Sequence, residues 1–414
     1  MAAIGTPSGA EAAWDYFGEI RFAGGWAENP GLLDSSQPAS LRGGQMEAAS
    51  RLSLGARSEW EKTDFEFSYS PYGEIYEDSE LNQLSHALGL SWDHRFTQRL
   101  SLSLREDFNY NPKLPTDPNG ADIGGALSSD SSITASDFRQ SLSLRATQKS
   151  TLDWTYRNIL RNYSFDQLLD TSGNAFGMDY SRTFGPLVVV SAGYEFGVYS
   201  FSDGLPPPVP SDLETFCAAQ PLDPNCIAFT TAAAQPPAED QGFGRHRAYA
   251  GYAYDSPPGF HFDIDAGYDQ VVFSESDSGS VSEPFARTSL GWNGTRFYTR
   301  VGYEQGLDEG GGVVTVAELK RGWADGLLRF TDNASLELSV SRDVRRSLDY
   351  DGAPAETTLT TLRGMSSFTY KLSRAWALIA VFTHDKQTAT GTSAVPSESR
   401  ANRYGLGASW TFEP

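Results

Sequence analysis

The chain has 414 residues, of which 39% are hydrophobic and 13% aromatic, and its formal net charge is -21. No run of about 18 apolar residues occurs; this excludes transmembrane helices but not spanning strands, which need about 9–11 residues with half of them facing lipid. The acidic balance offers nothing to offset phosphate repulsion and argues against nucleic acid as a partner, and without long acidic tracts it does not signal a disordered tail.

The first thirteen residues, MAAIGTPSGAEAA, have neither a basic n-region nor an apolar h-region, so they are not a signal peptide. We expect a disordered segment over 1–13, a single domain over 14–414, and the mature form of an exported protein. That segment is also too short to be a folded plug. Strand one is expected near Trp14–Trp26, followed by the loop ENPGLLDSSQPASLRGG. Strand two covers about Met46–Ser58 and reverses at Glu61–Thr63 into strand three, Asp64–Tyr76. Strand four is Leu84–Phe96. Strand five, LSLSLREDFNY, shows the pattern most clearly. Leu100, Leu102, Leu104, Phe108 and Tyr110 take one face, and Ser101, Ser103, Arg105, Asp107 and Asn109 take the other, because a strand reverses side-chain direction at every residue. A polar loop over 111–135 follows. Strands six and seven are Ser136–Gln148 and Thr151–Tyr163; eight and nine are Ala175–Phe184 and Leu187–Phe201.

The longest loop spans about Ser202–Gly242. It holds both cysteines, Cys217 and Cys226, in a Pro-rich polar stretch with no CxxC, no CxxCH and no nearby His. A metal or haem site is therefore not expected, and the pair reads as a local disulfide formed in an oxidising compartment. Strands ten and eleven are Gly244–Tyr254 and Phe260–Phe273, joined by Ser256-Pro257-Pro258-Gly259. Strands twelve and thirteen are Pro284–Trp292 and Arg296–Glu304, with the hairpin signal Asn293-Gly294 between them. Strands fourteen and fifteen are about Val313–Phe330 and Ala334–Arg345. GWADGLL interrupts the alternation of strand fourteen and predicts a bulge or lumenal inset there. Strands sixteen, seventeen and eighteen are Thr357–Tyr370, Arg374–His384 and Ala401–Phe412.

Eighteen strands follow, or sixteen if two weaker segments are not strands. Short connections come after every even strand and longer ones after every odd strand. A soluble β protein has no reason to obey that parity, whereas bacterial transmembrane barrels have even strand counts, short periplasmic turns and long external loops. A soluble sandwich would also have to bury far fewer apolar faces than this chain offers. The 19 Tyr against 4 Met suit interfacial girdles better than a soluble core. HRFTQRLSLSLRED is echoed in LRFTDNASLELSVSRD, but no fixed period exists, so a propeller or solenoid is disfavoured.

On this alternation the inward set of the early strands contains Arg51, Arg57, Arg95, Arg105, Arg139, Arg145, Arg157 and Arg161, several of them expected to pair across neighbouring strands with Asp93, Asp107 and Asp153. Strands eight to eleven contribute Asp179, Glu195, Asp263, Asp265 and Asp269, and strands twelve and thirteen return to Arg287, Arg296 and Arg300. A basic wall facing an acidic wall can set ion selectivity; it can equally be a set of salt bridges stiffening a narrow lumen. His86, His94 and His246 fall on the lipid side. His261 shares a face with Asp263 and Asp265, either as a base with its orienting carboxylate or as part of a hydrated polar patch. No GxSxG, HExxH or phosphate loop occurs.

The last segment, RYGLGASWTFEP, resembles the C-terminal strand of Gram-negative outer-membrane barrels, with Tyr404, Leu406, Ala408, Trp410 and Phe412 directed outward, although Glu413 and Pro414 follow the final aromatic. The style of YEDSELNQLSHALGLSWDHRFTQRLSLSLRED and the chain length resemble β-barrel porins found with exopolysaccharide export genes. The resemblance implies a bacterial outer-membrane channel, without cofactor, for passive passage of solutes or a polysaccharide. Its surroundings would be outer-membrane lipid and lipopolysaccharide. Two other readings remain: a barrel that sheathes or anchors partners of an envelope complex for secretion, motility or electron transfer, and a hydrolase at the barrel rim.

Overall fold

The computed structural model describes residues 14–29, 43–112, 132–164, 170–202, 241–257, 259–274, 279–308, 316–348, 357–391 and 397–412. The two cysteines and most of the long connections, including 203–240, lie outside the described residues.

Strands occupy nearly all of the described chain. The first half comprises β1 (Trp14–Glu28), β2 (Gly44–Trp60), β3 (Thr63–Tyr76), β4 (Gln83–Arg95), β5 (Leu100–Asn111), β6 (Ile133–Thr147), β7 (Ser150–Tyr163), β8 (Asp170–Phe184) and β9 (Val188–Ser202). The second half comprises β10 (Gln241–Ser256), β11 (Phe260–Phe273), β12 (Ser280–Asn293), β13 (Phe297–Asp308), β14 (Ala317–Arg329), β15 (Ala334–Ser347), β16 (Thr357–Lys371), β17 (Trp376–Gly391) and β18 (Ser397–Phe412). Each strand pairs antiparallel with its chain neighbours, and β1 pairs with both β2 and β18, so the eighteen-stranded sheet closes on itself. Closure removes the sheet edges, the condition for placing strands in lipid. Connections after even strands are short, from Glu61–Lys62 between β2 and β3 to Phe96–Arg99 between β4 and β5. At the β10–β11 turn, Gly259 has φ 116° and a Cβ there would meet the Asn293 carbonyl oxygen, so only glycine fits.

Cross-strand register fixes which side chains share a face. Trp14, Tyr16, Phe22 and Trp26 of β1 align with Ser58, Ala56, Ser50 and Met46 of β2, and Phe22 and Trp26 with Ala408 and Tyr404 of β18, on one side. That side is the outer wall, and its large apolar residues are exposed. Trp14, Trp60, Phe184, Trp292, Phe330, Trp376 and Trp410 ring the short-turn end, while Trp26 and Tyr110 stand near the other end. An exposed apolar band with aromatic girdles is the surface of a transmembrane barrel, and the architecture is that of bacterial outer-membrane barrels. His86, His94 and His246 lie on this outer wall, each bonded to a neighbouring hydroxyl: Tyr69, Thr63 and Tyr194, all at 2.7 Å.

Several sequence expectations need correction. The GWADGLL segment carries no bulge: β14 keeps unbroken register with β13 and β15. The alternation looked broken because Trp323 points inward over Gly302, where a Cβ would lie 2.2 Å from its ring, while the outward positions are Gly322, Ala324 and Gly326. A register shift occurs instead between Arg145 and Thr147 on β6. Strand eight starts at Asp170 rather than Ala175, because Thr171, Ser172, Gly173 and Asn174 show no polarity contrast between faces.

The inset sits at the opposite end of the β13–β14 hairpin from GWADGLL. Pairing of β12 with β13 ends at Ala286↔Gln305, although both strands continue. Pro284, two residues further along β12, has no N–H to offer a neighbour and marks the parting. The upper end of β13 leans into the lumen, and the Leu307 backbone N–H donates to Asp269 of β11 at 2.9 Å. Leu307 and Val316 then pack with Ile159, Tyr199, Phe201, Phe243 and Val271 in a buried apolar cluster on the lumen side.

Candidate functional site: the charged lumen

The lumen face is built from the residues that alternate with the outer band. Arg105 of β5 aligns in register with Arg139 of β6, and Arg139 with Arg157 of β7. Three guanidinium groups thus occupy one row on adjacent strands, which are about 4.8 Å apart. Like charges so close need water or a shared anion. Asp137 supplies the anion: Arg139 donates to it at 2.7 and 3.0 Å and Arg157 at 2.7 Å. Asp93, Asp107 and Asp153, the expected partners, form no ion pair among the described residues; the carboxylate that Arg139 and Arg157 share is Asp137, which faces Asp107 in register. Arg105 is exposed and has no ion-pair partner among the described residues.

A cavity of about 380 Å³ opens on this wall, lined by Arg51, Tyr72, Asp107, Asp137, Arg139 and Arg161 among others. Arg51 stacks over Tyr72 at 5.0 Å and also borders a second cavity of about 390 Å³ that extends to β18. Arg57 binds Glu59 at 2.6 Å near the short-turn end, and Arg145 is exposed near the next turn. The structure therefore gathers Arg51, Arg105, Arg139, Arg157 and Arg161 on one stretch of wall and leaves Arg57 and Arg145 below it.

The wall across β8–β11 is not simply acidic. Arg245 and Arg247 of β10 also point inward, flanking the outward His246, and both reach Asp269, at 3.2 and 2.7 Å. Asp269 is fully buried and Arg245 nearly so. Arg247 also lies over the Phe285 ring at 3.9 Å. Asp265 binds Arg287 at 2.7 Å, and Asp179 accepts from the Tyr249 hydroxyl. Asp263 accepts from Ser289 and from His261 Nε2 at 2.9 Å, while His261 Nδ1 contacts Asp255 at 2.5 Å. Both His261 nitrogens thus face carboxylates, Asp255 and Asp263.

Sequence reading missed Arg245 and Arg247, although the triplet Arg245-His246-Arg247 carried the signal: placing His246 outward forces both arginines inward. It also missed a buried cluster on the opposite wall. Glu74 of β3 accepts from Arg403 of β18 at 2.7 Å, from Tyr72 at 2.5 Å and from Tyr76 at 2.9 Å. Arg403 sits in register with Ala27 of β1 and so reaches past β1 and β2 to make this contact.

No family model matches the chain, and no curated protein matches it. Among solved structures the barrel is similar to OccAB3 of Acinetobacter baumannii, at 10% identity over 97% of this chain and 99% of that chain, with a TM-score of 0.47. It is similar to OpdQ of Pseudomonas aeruginosa at 11% identity over 97% and 99%, with a TM-score of 0.46. It is also similar to the siderophore receptor PirA of Acinetobacter baumannii at 9% identity over 96% and 80%, with a TM-score of 0.46.

Proposed function

We propose that this outer-membrane barrel is a porin-like channel for passive passage of small charged solutes, and that its inward arginines set the selectivity. The observation that carries the reading is the row Arg105–Arg139–Arg157, three cations on adjacent strands of which two share the single carboxylate Asp137. An interior enclosed by 18 strands is wide enough for water where it is not filled by side chains or insets. Guanidinium groups stay charged at any working pH, so the row presents a fixed positive field. A polysaccharide is the second solute class to test; it would block the current of small ions when added to one side.

Replacing Arg139, Arg145 and Arg157 together by Ser should move the reversal potential in a salt gradient toward cation selectivity. The sign follows from the charges: three positives leave and Asp137 stays. An unchanged reversal potential in a conducting channel would show that these groups do not line the narrowest part. Failure to assemble would instead show that the contacts of Arg139 and Arg157 with Asp137 are needed to hold this wall together.

A further inference from the structure

The outer wall carries its cations on one arc. Among the described strand residues, six Lys or Arg side chains occupy outer-wall register positions. One, Arg182, lies at the short-turn end of β8, stacked over Phe184. The other five are Lys320, Arg342, Arg346, Lys386 and Arg400, on β14, β15, β17 and β18, all toward the long-loop end. Arg342 aligns with Leu362 of β16, Leu362 with Lys386, and Lys386 with Arg400, so three cations stand in one row around the outside. Below the row the outward side chains of the same strands are exposed and apolar: Leu338, Val340, Leu378, Phe382 and Leu406. The row lies where that apolar surface ends. Lys320 is held by Glu318 at 2.5 Å and Lys386 by Glu398 at 2.9 Å. Arg342 and Arg400 are exposed and have no acidic partner among the described residues.

Charge on the lipid side is tolerated near the edge of the apolar band, where it meets headgroups rather than acyl chains. A guanidinium recognises phosphate through two parallel N–H bonds, a geometry that lysine cannot reproduce. We propose that this arc binds a phosphorylated glycolipid of the outer leaflet, with Arg342 and Arg400 holding the phosphates and the acyl chains lying on the apolar surface below. The assignment rests on the outer-membrane reading with the long-loop end facing outward. Charge complementarity selects the occupant, and the continuity of the cations with the apolar band selects a lipid over a soluble anion.

The test uses the full chain folded in detergent and titrated, by native mass spectrometry, with bisphosphorylated lipid A, the same lipid without phosphates, and inorganic phosphate. R342S/R400S should bind bisphosphorylated lipid A at least tenfold more weakly than the unaltered chain, whereas R182S should not differ. The lipid without phosphates should bind both forms equally and weakly. R342K/R400K, which keeps the charge, should bind with intermediate affinity and serves if the Ser variant does not fold. Equal affinity of the unaltered chain and R342S/R400S, or of the Lys variant where that one is used, would overturn the proposal. So would equal binding of the two lipids, or displacement by inorganic phosphate at the lipid's own concentration. Orientation is read separately, by protease added to intact cells: cleavage at the Asn293 turn would overturn the outward placement of the long loops, while the titration in detergent would still decide whether the arc binds the lipid.

Discussion

Replacing Asp269 by Ala should destabilise the barrel by about 3–5 kcal/mol, the usual penalty for removing one partner of a buried ion pair. Asp269 is fully buried and accepts from Arg245, Arg247 and the Leu307 backbone N–H. Its removal leaves the buried Arg245 without that carboxylate and frees the inward-leaning end of β13. Two readouts should move together: the urea midpoint of unfolding should fall, and the single-channel conductance should rise as the inset loosens. Asp269→Asn should fall between, because it keeps an acceptor for Leu307 but loses the charge. An unchanged midpoint with unchanged conductance would show that Asp269 neither supports the wall nor pins the inset.

Glu74→Ala is expected to have an effect of similar size at the closure of the barrel. Arg403 reaches across β1 and β2 to Glu74, so the pair ties β18 to β3 over the seam where the two ends of the chain meet. Removing Glu74 alone leaves a buried guanidinium without that partner, at about 3–5 kcal/mol. Replacing both partners, as Glu74→Leu with Arg403→Met, should recover most of the loss, because apolar residues of similar volume need no desolvated charge to be matched. The measurement is the urea midpoint of the two single variants and the double variant. If the double variant is as unstable as the sum of the singles, the two residues are not coupled and the seam is held by other contacts.

The barrel was legible in the sequence because its rules are local. LSLSLREDFNY declares its two faces by itself, and Asn293-Gly294 declares its hairpin. The alternation of short and long connections then follows from counting. The ten lumen positions proposed from the sequence, Arg51, Arg57, Arg105, Arg139, Arg145, Arg157, Arg161, Asp263, Asp265 and Asp269, all occupy the inner register of the sheet. Their pairing was not legible, because partners are set by stagger between strands, which no single strand encodes. Asp137 holds Arg139 from two places back on its own strand, and Asp107 lies opposite Asp137 in register, so alternation alone does not choose between the two carboxylates. Trp323 misled because an inward aromatic beside outward glycines inverts the usual contrast. The lumenal inset was hidden because Tyr199, Phe201 and Phe243 read as ordinary alternating aromatics. Only the parting of β12 from β13 brings Leu307 and Val316 onto them.

The central claim is that this barrel conducts through a charged lumen, and planar-bilayer recording of the purified, folded barrel tests it most directly. Stepwise currents of uniform size are predicted, with a reversal potential in a salt gradient that shifts toward cations in R139S/R145S/R157S. Silent insertion of correctly folded protein, or ill-defined currents that become discrete only when a partner is added, would contradict it and favour a sheathing barrel.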